Sequence, residues 1–368
     1  MLLSFILPTR NRHNDLARTL DLLASCTTVP ALDAEVVVID NASTPAVRVP
    51  DRLRNGWPVH LESLDANHGT AARNIGSHRA NGTWLIMLDD DSTPIDFEWV
   101  DQLRTVPKNC AVIASPVVLS VDGPAPRREA GGLPCVFIGC GAAIRREVFE
   151  TLGGYDATFG YYAEEYDFCA KLLMHGYAVR WSMDFIVHHR KVAANRNMNV
   201  ILENLVVNNA RVIDRYAPSS WRDAERERLV KRCRAIADRE HAQEGFERGL
   251  ARINPLPPDV RTQLTVAEWS RFTGAAHARE SLRDAYELAP FRSARLIDPT
   301  HIAGKHRWCI DAALRSLGIA IVDDDAADVD VIATLSPGPM LDTAELHAAT
   351  HPDRRIITPW MPAATMTV

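Results

Sequence analysis

The chain has 368 residues, of which 46% are hydrophobic and 24% are charged. This composition is typical of a globular protein with two or three domains, and it excludes wholesale disorder. The formal net charge of -6 argues against a broad electrostatic surface for nucleic acid, so no nucleic-acid partner is expected.

The seven cysteines are scattered and form no C-x-x-C pair. This pattern argues against a disulfide framework or a zinc knuckle and indicates a reducing compartment, so we expect a cytoplasmic protein. The apolar run that opens "MLLSFILPTRNR" is short and is interrupted by Pro8, which is typical of a core strand and not of a signal peptide. No segment approaches the roughly 20 apolar residues of a membrane span, so no transmembrane segment is expected.

Strand and helix patterns alternate in the first part of the chain, up to about residue 190. In chain order, the strand patterns are "LLSFILP", "AEVVVIDN", "VHLESLD", "TWLIMLDDD" and "CAVIASPVVL". Helical patterns occupy "NDLARTLDLLASC", with leucines on one face, and "GTAARNIGSHRA". This β-α-β-α order predicts an α/β fold with an open, mainly parallel sheet.

The character of the sequence changes after about residue 191, where charged residues dominate. Two or three amphipathic helices are expected there, with a break at the three prolines of "NPLPPD". From about residue 294 short strand and helix patterns return, which predicts a small Rossmann-like α/β unit. We therefore expect an α/β domain over 1–215, a helical segment over 216–290 and a small α/β unit over 291–368. The small unit lacks a glycine-rich turn after its first strand, so it is not expected to bind a second nucleotide.

Three consecutive aspartates, Asp89, Asp90 and Asp91, follow the apolar run "WLIML". Such carboxylates repel each other unless a cation neutralises them, and hard oxygen ligands suit Mg²⁺ or Mn²⁺ that also carries substrate phosphates. If the strand continues through the triplet, Asp89 and Asp91 share one face and form a metal-binding pair. A solvated acidic turn before Pro94 is the alternative.

Asp40 ends the strand pattern "VVVID", at an edge of the sheet where ligands bind in open α/β folds. Its carboxylate could accept hydrogen bonds from a nucleotide base or ribose, or it could form an Asx turn with Asn41 and Ser43. Arg73 lies near the start of a predicted helix, where a guanidinium and the helix N-terminus both favour a diphosphate. A surface arginine is the alternative for Arg73.

A second group of acids, Glu164, Glu165 and Asp167, begins a predicted helix in "YYAEEYDFCAKLLMHGY". Helix capping is one interpretation of these acids, and a general base beside an aromatic sugar platform is the other. The apolar face of this helix is marked by Phe168, Leu172 and Leu173. Glu165 is therefore expected on the inward side, with Glu164 about one residue's rotation away from it.

Two further polar groups follow apolar runs. The histidines at 188 and 189 end "FIVHH", and a pair in this place is a candidate for metal binding. A second acidic triplet, at 323–325, lacks both the glycine-rich helix before it and the acidic helix after it. We therefore interpret it as a solvated strand end.

Together these motifs resemble the inverting family 2 glycosyltransferases with the GT-A fold. The resemblance covers roughly residues 2–215, and five motifs occur in the order of that family: "SFILPTRNR", "VVVIDNAS", "NHGTAARNIGSHRANGTWLIMLDDD", "FIGCGAAIRREVFETLGGYDATF" and "YAEEYDFCAKLLMHGY". It implies a nucleotide-diphospho-sugar transferase that moves a sugar, from UDP in the favoured case, to an acceptor hydroxyl with inversion. The acceptor is unidentified, and the parts after 215 could shape its site or a contact in a homo-oligomer.

The resemblance also implies roles for single residues. It assigns donor binding to Pro8, Thr9, Arg10, Asp40, Asn41, Arg73, Asp89 and Asp90.

The same resemblance implies that Mg²⁺ or Mn²⁺ is bound by Asp89, Asp91 and His189, with His188 as the near alternative. It implies Glu165 as the general base and leaves Glu164 as the alternative, because this chain has glutamate where the family usually has aspartate.

Two rival interpretations share these features. A sugar nucleotidyltransferase would also use an α/β sheet and carboxylate-bound metal, but "PTRNR" lacks the glycine-rich loop expected after its first strand. A nucleotide-sugar-binding protein without catalysis would not need the intact acids at 89–91 and 164–167.

Overall fold

The computed structural model describes residues 2–25, 33–119, 127–190, 197–253, 260–299 and 304–361. The chain forms two compact units. The first unit comprises Met1–Ser120 with Ile138–Leu264, and the second comprises Val121–Phe137 with Thr265–Val368. The division into three parts at 215 and 290 remains a prediction.

The strands are β1 (Leu2–Thr9), β2 (Asp33–Asp40), β3 (Val59–Ser63), β4 (Trp84–Met87), β5 (Ser92–Pro94), β6 (Cys110–Ala114), β7 (Val118–Leu119), β8 (Arg127–Arg128), β9 (Ala142–Arg145), β10 (Ala178–Trp181), β11 (Val187–His189), β12 (Ser293–Ile297), β13 (Ala320–Ile321), β14 (Val329–Ile332) and β15 (Ile356–Ile357). The α-helices are α1 (His13–Ala24), α2 (Ala72–Arg79), α3 (Gln102–Thr105), α4 (Arg146–Thr151), α5 (Glu164–Met174), α6 (Met198–Tyr216), α7 (Arg222–Glu240), α8 (Gln243–Arg252), α9 (Val266–Phe272), α10 (Ala275–Leu288), α11 (Arg307–Ser316) and α12 (Pro337–Thr350).

The large sheet of the first unit has the strand order β10-β6-β9-β4-β1-β2-β3. Strand β9 runs antiparallel to β4 and β6, and the other neighbouring pairs are parallel. The predicted α/β class with an open, mainly parallel sheet is therefore confirmed.

Apolar side chains hold the centre of this sheet. Strands β1, β2 and β4 are almost entirely buried, and Leu16, Leu20 and Leu23 form the buried face of α1. Phe5 of β1 stacks on Trp57 with a ring-centroid distance of 5.3 Å. Burial of each large apolar side chain contributes about 1.5–3 kcal/mol, so this core fixes the sheet whose edge carries the polar loops.

The strand register brings the candidate loops to one edge. Thr9 pairs with Asp40 between β1 and β2, and Ile6 pairs with Met87 between β1 and β4. The segments that follow Thr9, Asp40 and Met87 therefore leave the sheet at the same edge, where ligands bind in open α/β sheets.

The structure corrects the predicted strand "TWLIMLDDD". Strand β4 ends at Met87, and residues 90–91 lie in a turn before β5. The backbone N–H of Asp89 donates to Ser92 Oγ at 2.8 Å, a side-chain hydrogen bond that competes with a strand ladder. The expectation that Asp89 and Asp91 share a strand face is therefore wrong. The pattern "CAVIASPVVL" likewise forms two strands, β6 and β7, instead of one.

A small sheet in the same unit positions the histidine pair. Strand β11 is antiparallel to β5 and parallel to β7, with His189 opposite Ser92. This pairing brings His189 alongside the turn that contains Asp91. Because neighbouring strand residues point to opposite faces, His188 points away from the side on which His189 lies.

Helices α6, α7 and α8 pack together in the first unit. The predicted break at "NPLPPD" lies outside the described residues. Across the part of the chain that the structure describes, no helix has both the length and the apolarity to cross a membrane.

The second unit contains a smaller sheet with the order β13-β12-β14-β15, and every neighbouring pair is parallel. This sheet confirms the small α/β unit that was part of the predicted fold class. The acidic triplet at 323–325 is exposed there, as expected for a solvated strand end.

The core of the second unit contains a buried carboxylate, Asp330 on β14. Arg295 and Arg354 each donate two hydrogen bonds to it at 2.9–3.0 Å, and His347 Nε2 lies 2.7 Å from its Oδ2. Burial would raise the pKa of Asp330, but the hydrogen bonds from Arg354, Arg295 and His347 lower it well below its usual range. Its contribution to stability is therefore present above the unfolded pKa and is lost only in strong acid.

We expect Asp330→Ala to lower the free energy of unfolding by about 3–5 kcal/mol, because it leaves two partly buried arginines without their shared partner. Urea unfolding followed by circular dichroism measures this change. Asp325→Ala is the matched control, since Asp325 also pairs with Arg295 but its side chain is 92% exposed. The control should cost less than about 1 kcal/mol, and equal effects of the two variants would contradict the assignment.

Candidate active site

Asn41 connects the loops at the carboxyl edge of the large sheet. Its backbone N–H donates to Thr9 O at 2.8 Å, and its side-chain oxygen accepts from His68 N–H at 2.7 Å. Its amide nitrogen donates to Gly69 O at 3.1 Å. Asn41 is buried, so these bonds fix the loop before α2 against the ends of β1 and β2.

The same loop contacts the segment before the acidic helix α5. Thr70 donates its backbone N–H and its hydroxyl to Gly160 O, at 2.8 and 3.1 Å. Gly69 has a φ of +59°, and a Cβ at this position would lie 2.3 Å from the same carbonyl oxygen. Glycine is therefore required here by both the backbone conformation and the close approach.

Asp40 forms the turn that was one of its two interpretations. Its carboxylate accepts from Ser43 N–H at 2.9 Å and from Val47 N–H at 3.0 Å. Asp40 is buried, and the turn holds its carboxylate at the sheet edge next to Asn41. A contact between Asp40 and a nucleotide remains a prediction.

The predicted donor-binding residues after β1 differ in exposure. Arg10 is exposed, Pro8 is half-buried and Thr9 is buried. The Thr9 hydroxyl donates to Asp90 Oδ2 at 2.8 Å, which links the end of β1 to the acidic triplet.

Arg12 binds two of the three aspartates, and the sequence reasoning missed it. Its guanidinium lies 2.9 Å from Asp90 Oδ1, donates to Asp91 Oδ2 at 2.6 Å and donates to Asp15 at 3.1 Å. Burial raises the pKa of Asp90 to about 7, although Arg12 and the Thr9 hydroxyl oppose this shift. The only signal in the sequence was the position of Arg12 in "PTRNR", directly after a strand.

Asp91 and His189 lie next to each other in the predicted metal site. Asp91 Oδ1 is 3.1 Å from His189 Nε2, and this buried oxygen has no other hydrogen-bond partner among the described residues. Burial would raise the pKa of Asp91, but His189 and Arg12 lower it well below its usual range. The carboxylate is therefore ionised at neutral pH.

Asp89 is the most accessible of the three aspartates, with 38% of its side chain exposed. Its Oδ1 accepts from Arg73 Nη2 at 2.5 Å, and its Oδ2 lies 3.9 Å from His189 Nε2. Arg73 is buried and also donates to Leu88 O at 3.0 Å, so the alternative of a surface arginine is wrong.

Cys140 lies beside His189, and it is the second residue of the site that the sequence reasoning missed. Its Sγ lies 3.7 Å from His189 Nδ1, although the two residues are 49 positions apart in the chain. One ligand atom each from Asp89, Cys140 and His189 lie within 4.8 Å of one another. No spacing rule links these three positions, so the fold was needed to bring them together.

The two glutamates of α5 differ in burial, opposite to the expectation. Glu164 is 5% exposed, whereas Glu165 is half-buried. Glu164 precedes Asp167 and Phe168 by three and four residues, and all three form the buried stripe of the helix. The expectation that Glu165 is the inward member of the pair is therefore wrong.

A glycine from another loop holds Glu165. Gly139 N–H donates to Glu165 Oε1 at 3.1 Å, and a Cβ at position 139 would lie 2.6 Å from that oxygen. Burial raises the pKa of Glu165, and burial together with the charge of Glu165 raises the pKa of Glu164 well above its usual range. A carboxylate with a raised pKa has the proton affinity that a general base needs.

Asp167, the third acid of α5, belongs to a structural ion cluster. It is fully buried, accepts from Arg215 and from Tyr216 Oη at 2.8 Å, and lies 2.8 Å from Lys171 Nζ. These contacts connect α5 to α6 and leave Asp167 away from solvent.

The backbone directly before α5 is unusual. Tyr162 and Ala163 have φ values of 73° and 68°, in the left-handed region that non-glycine residues rarely adopt. The side chain of Asn208 on α6 donates to the carbonyl oxygens of Phe159, Tyr161 and Tyr162 at 2.8–2.9 Å. Asn208 therefore stabilises the strained segment that sets the direction of Glu164 and Glu165.

Two family models match consecutive parts of the chain. The family model described as "Glycosyl transferase family 2" matches residues 4–131, and the model described as "Glycosyl transferase family group 2" matches residues 125–229.

Two curated relatives match parts of the chain. An "Uncharacterized glycosyltransferase" of Haemophilus influenzae is 27% identical over 194 residues, which cover 47% of this chain and 62% of the relative. "Validoxylamine A glucosyltransferase" of Streptomyces hygroscopicus subsp. limoneus is 43% identical over 93 residues, which cover 24% of this chain and 20% of that protein.

Among solved structures, the crystal structure of GalNAc-T7 with UDP, GalNAc and Mn²⁺ has a TM-score of 0.48 at 17% identity. The match covers 69% of this chain and 56% of that chain. The chain thus spans less than two thirds of the length of each of these three proteins.

Proposed function

The chain belongs to glycosyl transferase family 2, and we propose that it transfers a sugar from a nucleotide diphosphate donor, UDP-linked in the favoured case, to an acceptor hydroxyl with inversion. Its α/β sheet corresponds to the GT-A fold that this family implies. The matched descriptions favour a glycosyltransferase over a sugar nucleotidyltransferase.

The observation that carries the proposal is the pairing of Asp91 Oδ1 and His189 Nε2. They lie 3.1 Å apart, and this buried oxygen has no other hydrogen-bond partner within the described part of the chain. Two ligands of one ion that are each about 2.1 Å from it lie about 3 Å apart at an octahedral angle. Asp91 and His189 therefore fit a bound Mg²⁺ or Mn²⁺, with Asp89 as the third ligand.

When bound, this cation supplies positive charge that stabilises the leaving diphosphate. The position of the remaining residues at the sheet edge supports the donor-binding roles that the resemblance implies. Asp40 and Asn41 lie beside the end of β1 for the base and ribose, and Arg73 lies behind Asp89 for the diphosphate side. These donor contacts are proposals.

We assign the general base to Glu165 because of its exposure. The earlier reason, that Glu165 faces inward on the helix, does not hold. A base must contact an acceptor that enters from solvent, and Glu165 is half-buried whereas Glu164 is almost fully enclosed. Gly139 N–H holds one oxygen of Glu165. The carboxylate accepts the proton of the acceptor hydroxyl while the hydroxyl oxygen attacks the anomeric carbon and the bond to the diphosphate breaks on the opposite face.

We expect Asn208→Ala to lower kcat for sugar transfer by about tenfold or more, because loss of about 1–3 kcal/mol of hydrogen bonding releases the segment before Glu165. Steady-state kinetics measures kcat and KM for the donor. Asn209→Ala is the matched control, since the Asn209 amide bonds only Leu205 O on its own helix, at 2.7 Å, in the described contacts. Wild-type kcat in Asn208→Ala would show that the segment does not position the base.

The proposed function is tested by the release of nucleotide diphosphate from a panel of UDP-, GDP- and dTDP-sugars with Mn²⁺. We expect one donor to be hydrolysed slowly without an acceptor, and we expect EDTA to abolish the release. If the folded chain neither binds nor hydrolyses any of these donors, the proposal is overturned.

A further inference from the structure

The imidazole of His189 lies between two different sets of ligand atoms. Its Nε2 faces oxygen atoms, with Asp91 Oδ1 at 3.1 Å and Asp89 Oδ2 at 3.9 Å. Its Nδ1 faces sulfur, with Cys140 Sγ at 3.7 Å. The two nitrogens of one ring are thus presented to chemically different neighbours.

Together with Asp89, the cysteine and the histidine have the spacing of a metal-binding set. One ligand atom each from Asp89, Cys140 and His189 lie within 4.8 Å of one another. In a tetrahedral zinc site, bonds of about 2.3 Å to sulfur and 2.0 Å to nitrogen place those two atoms about 3.5 Å apart. The distance of 3.7 Å between Cys140 Sγ and His189 Nδ1 is close to this value.

The chemistry of this set differs from that of the Mn²⁺ site. Thiolate and imidazole ligands select zinc and similar borderline-soft cations, whereas carboxylates and water suit Mg²⁺ and Mn²⁺. Three protein ligands with an open fourth position are common for zinc. Asp89 is 38% exposed on its side chain, so the set is accessible to an entering cation and to a fourth ligand from solvent.

We propose that Asp89, Cys140 and His189 form a site for a thiophilic divalent cation of the zinc class, and that this site overlaps the Mg²⁺ or Mn²⁺ site at Asp89 and His189. The overlap rests on the proposed function, which supplies the Mg²⁺ or Mn²⁺ site. On binding, the Cys140 thiol loses its proton to solvent and its sulfur becomes the ligand. The two cations use different nitrogens of His189 but the same carboxylate, Asp89. Occupancy by zinc therefore takes a ligand from the cation that the donor diphosphate needs and places a second positive charge beside its site. Zinc therefore competes with Mg²⁺ or Mn²⁺ and weakens metal-dependent donor binding.

Cobalt provides a direct spectroscopic probe of the sulfur ligand. We expect Co²⁺ added to the metal-free full-length chain to produce a thiolate-to-metal charge-transfer band in the near ultraviolet, which Zn²⁺ displaces. Cys140→Ser should abolish this band and lower Zn²⁺ affinity by roughly 10- to 100-fold. Cys110→Ser is the matched control, because Cys110 is likewise a buried cysteine of the first unit, and it should leave the band and the affinity unchanged.

Calorimetric titration of UDP with Mn²⁺ separates this inference from the proposed function. In the wild type, added Zn²⁺ should raise the apparent Kd for UDP, and in Cys140→Ser this effect should require much more Zn²⁺. Absence of the cobalt band, or equal zinc inhibition in both proteins, overturns the thiophilic site while UDP still binds with Mn²⁺. Loss of Mn²⁺-dependent UDP binding in folded Cys140→Ser also overturns it, because the thiol would then orient His189 for the other cation. Failure of UDP to bind the wild type with Mn²⁺ is instead a failure of the proposed function.

Discussion

Glu165→Gln is expected to lower the rate of sugar transfer by about 10²- to 10⁴-fold, the usual effect of removing a general base. Glutamine keeps the shape of the side chain and an oxygen for the hydrogen bond from Gly139 N–H, which is 3.1 Å long in the structure. UDP affinity in the presence of Mn²⁺ should therefore be unchanged. Steady-state rates and calorimetric UDP binding measure these two effects.

The pH profile gives a second readout for the same residue. Burial raises the pKa of Glu165, and a base must be deprotonated to accept the acceptor's proton. The value of kcat/KM should therefore fall as the pH falls through this raised pKa, and the residual activity of Glu165→Gln should lack this acid limb.

Glu164→Gln is the matched control for this assignment, because Glu164 is the adjacent residue of the same helix but is almost fully buried. It should retain more activity than Glu165→Gln. Near-normal turnover of Glu165→Gln together with loss of activity in Glu164→Gln would transfer the role of base to Glu164.

Asp91→Asn is expected to weaken Mn²⁺-dependent UDP binding by at least about 10- to 100-fold. The substitution replaces a buried, ionised carboxylate with a neutral amide, so the attraction for a divalent cation beside His189 is lost. Calorimetry of UDP with Mn²⁺ measures the change, and thermal unfolding confirms that the variant is folded. Arg12 keeps its contacts with Asp90 and Asp15, which limits the loss of stability.

The control for this variant is Asp15→Asn. Asp15 also pairs with Arg12, at 3.1 Å, but lies outside the proposed cation site. It should bind UDP and Mn²⁺ like the wild type. A contradicting result is that Asp91→Asn binds UDP with the wild-type affinity whether or not Mn²⁺ is present. Asp91 would then not be a metal ligand.

The sequence was sufficient to predict the sheet and the edge where the polar loops meet. Continuous apolar runs such as "VVVI" can be buried on both faces only in a covered sheet, and the polar residue that ends each run marks its carboxyl end. The structure places Thr9 opposite Asp40 at this edge. The pattern of apolar runs with polar ends explains why Asp40, Asn41 and the acidic triplet were recognised together.

The contacts inside the site could not be predicted in the same way. The expectation that the strand continues through Asp89 failed because Ser92 binds the backbone N–H of Asp89 and starts a turn. The expectation that Glu165 and not Glu164 faces inward failed because the left-handed conformation of Ala163 sets where the helix begins. Arg12 and Cys140 reach their partners only through tertiary structure, over separations of 79 and 49 positions.

The most direct test of the account is a calorimetric titration of UDP into the wild-type chain, first with Mn²⁺ and then with EDTA. We predict saturable binding with Mn²⁺ and a large loss of affinity in EDTA, because the ionised Asp91 and His189 lie 3.1 Å apart and fit a shared cation. Equal affinity under the two conditions, or no binding under either, would contradict a metal-dependent nucleotide-sugar site at this edge of the sheet.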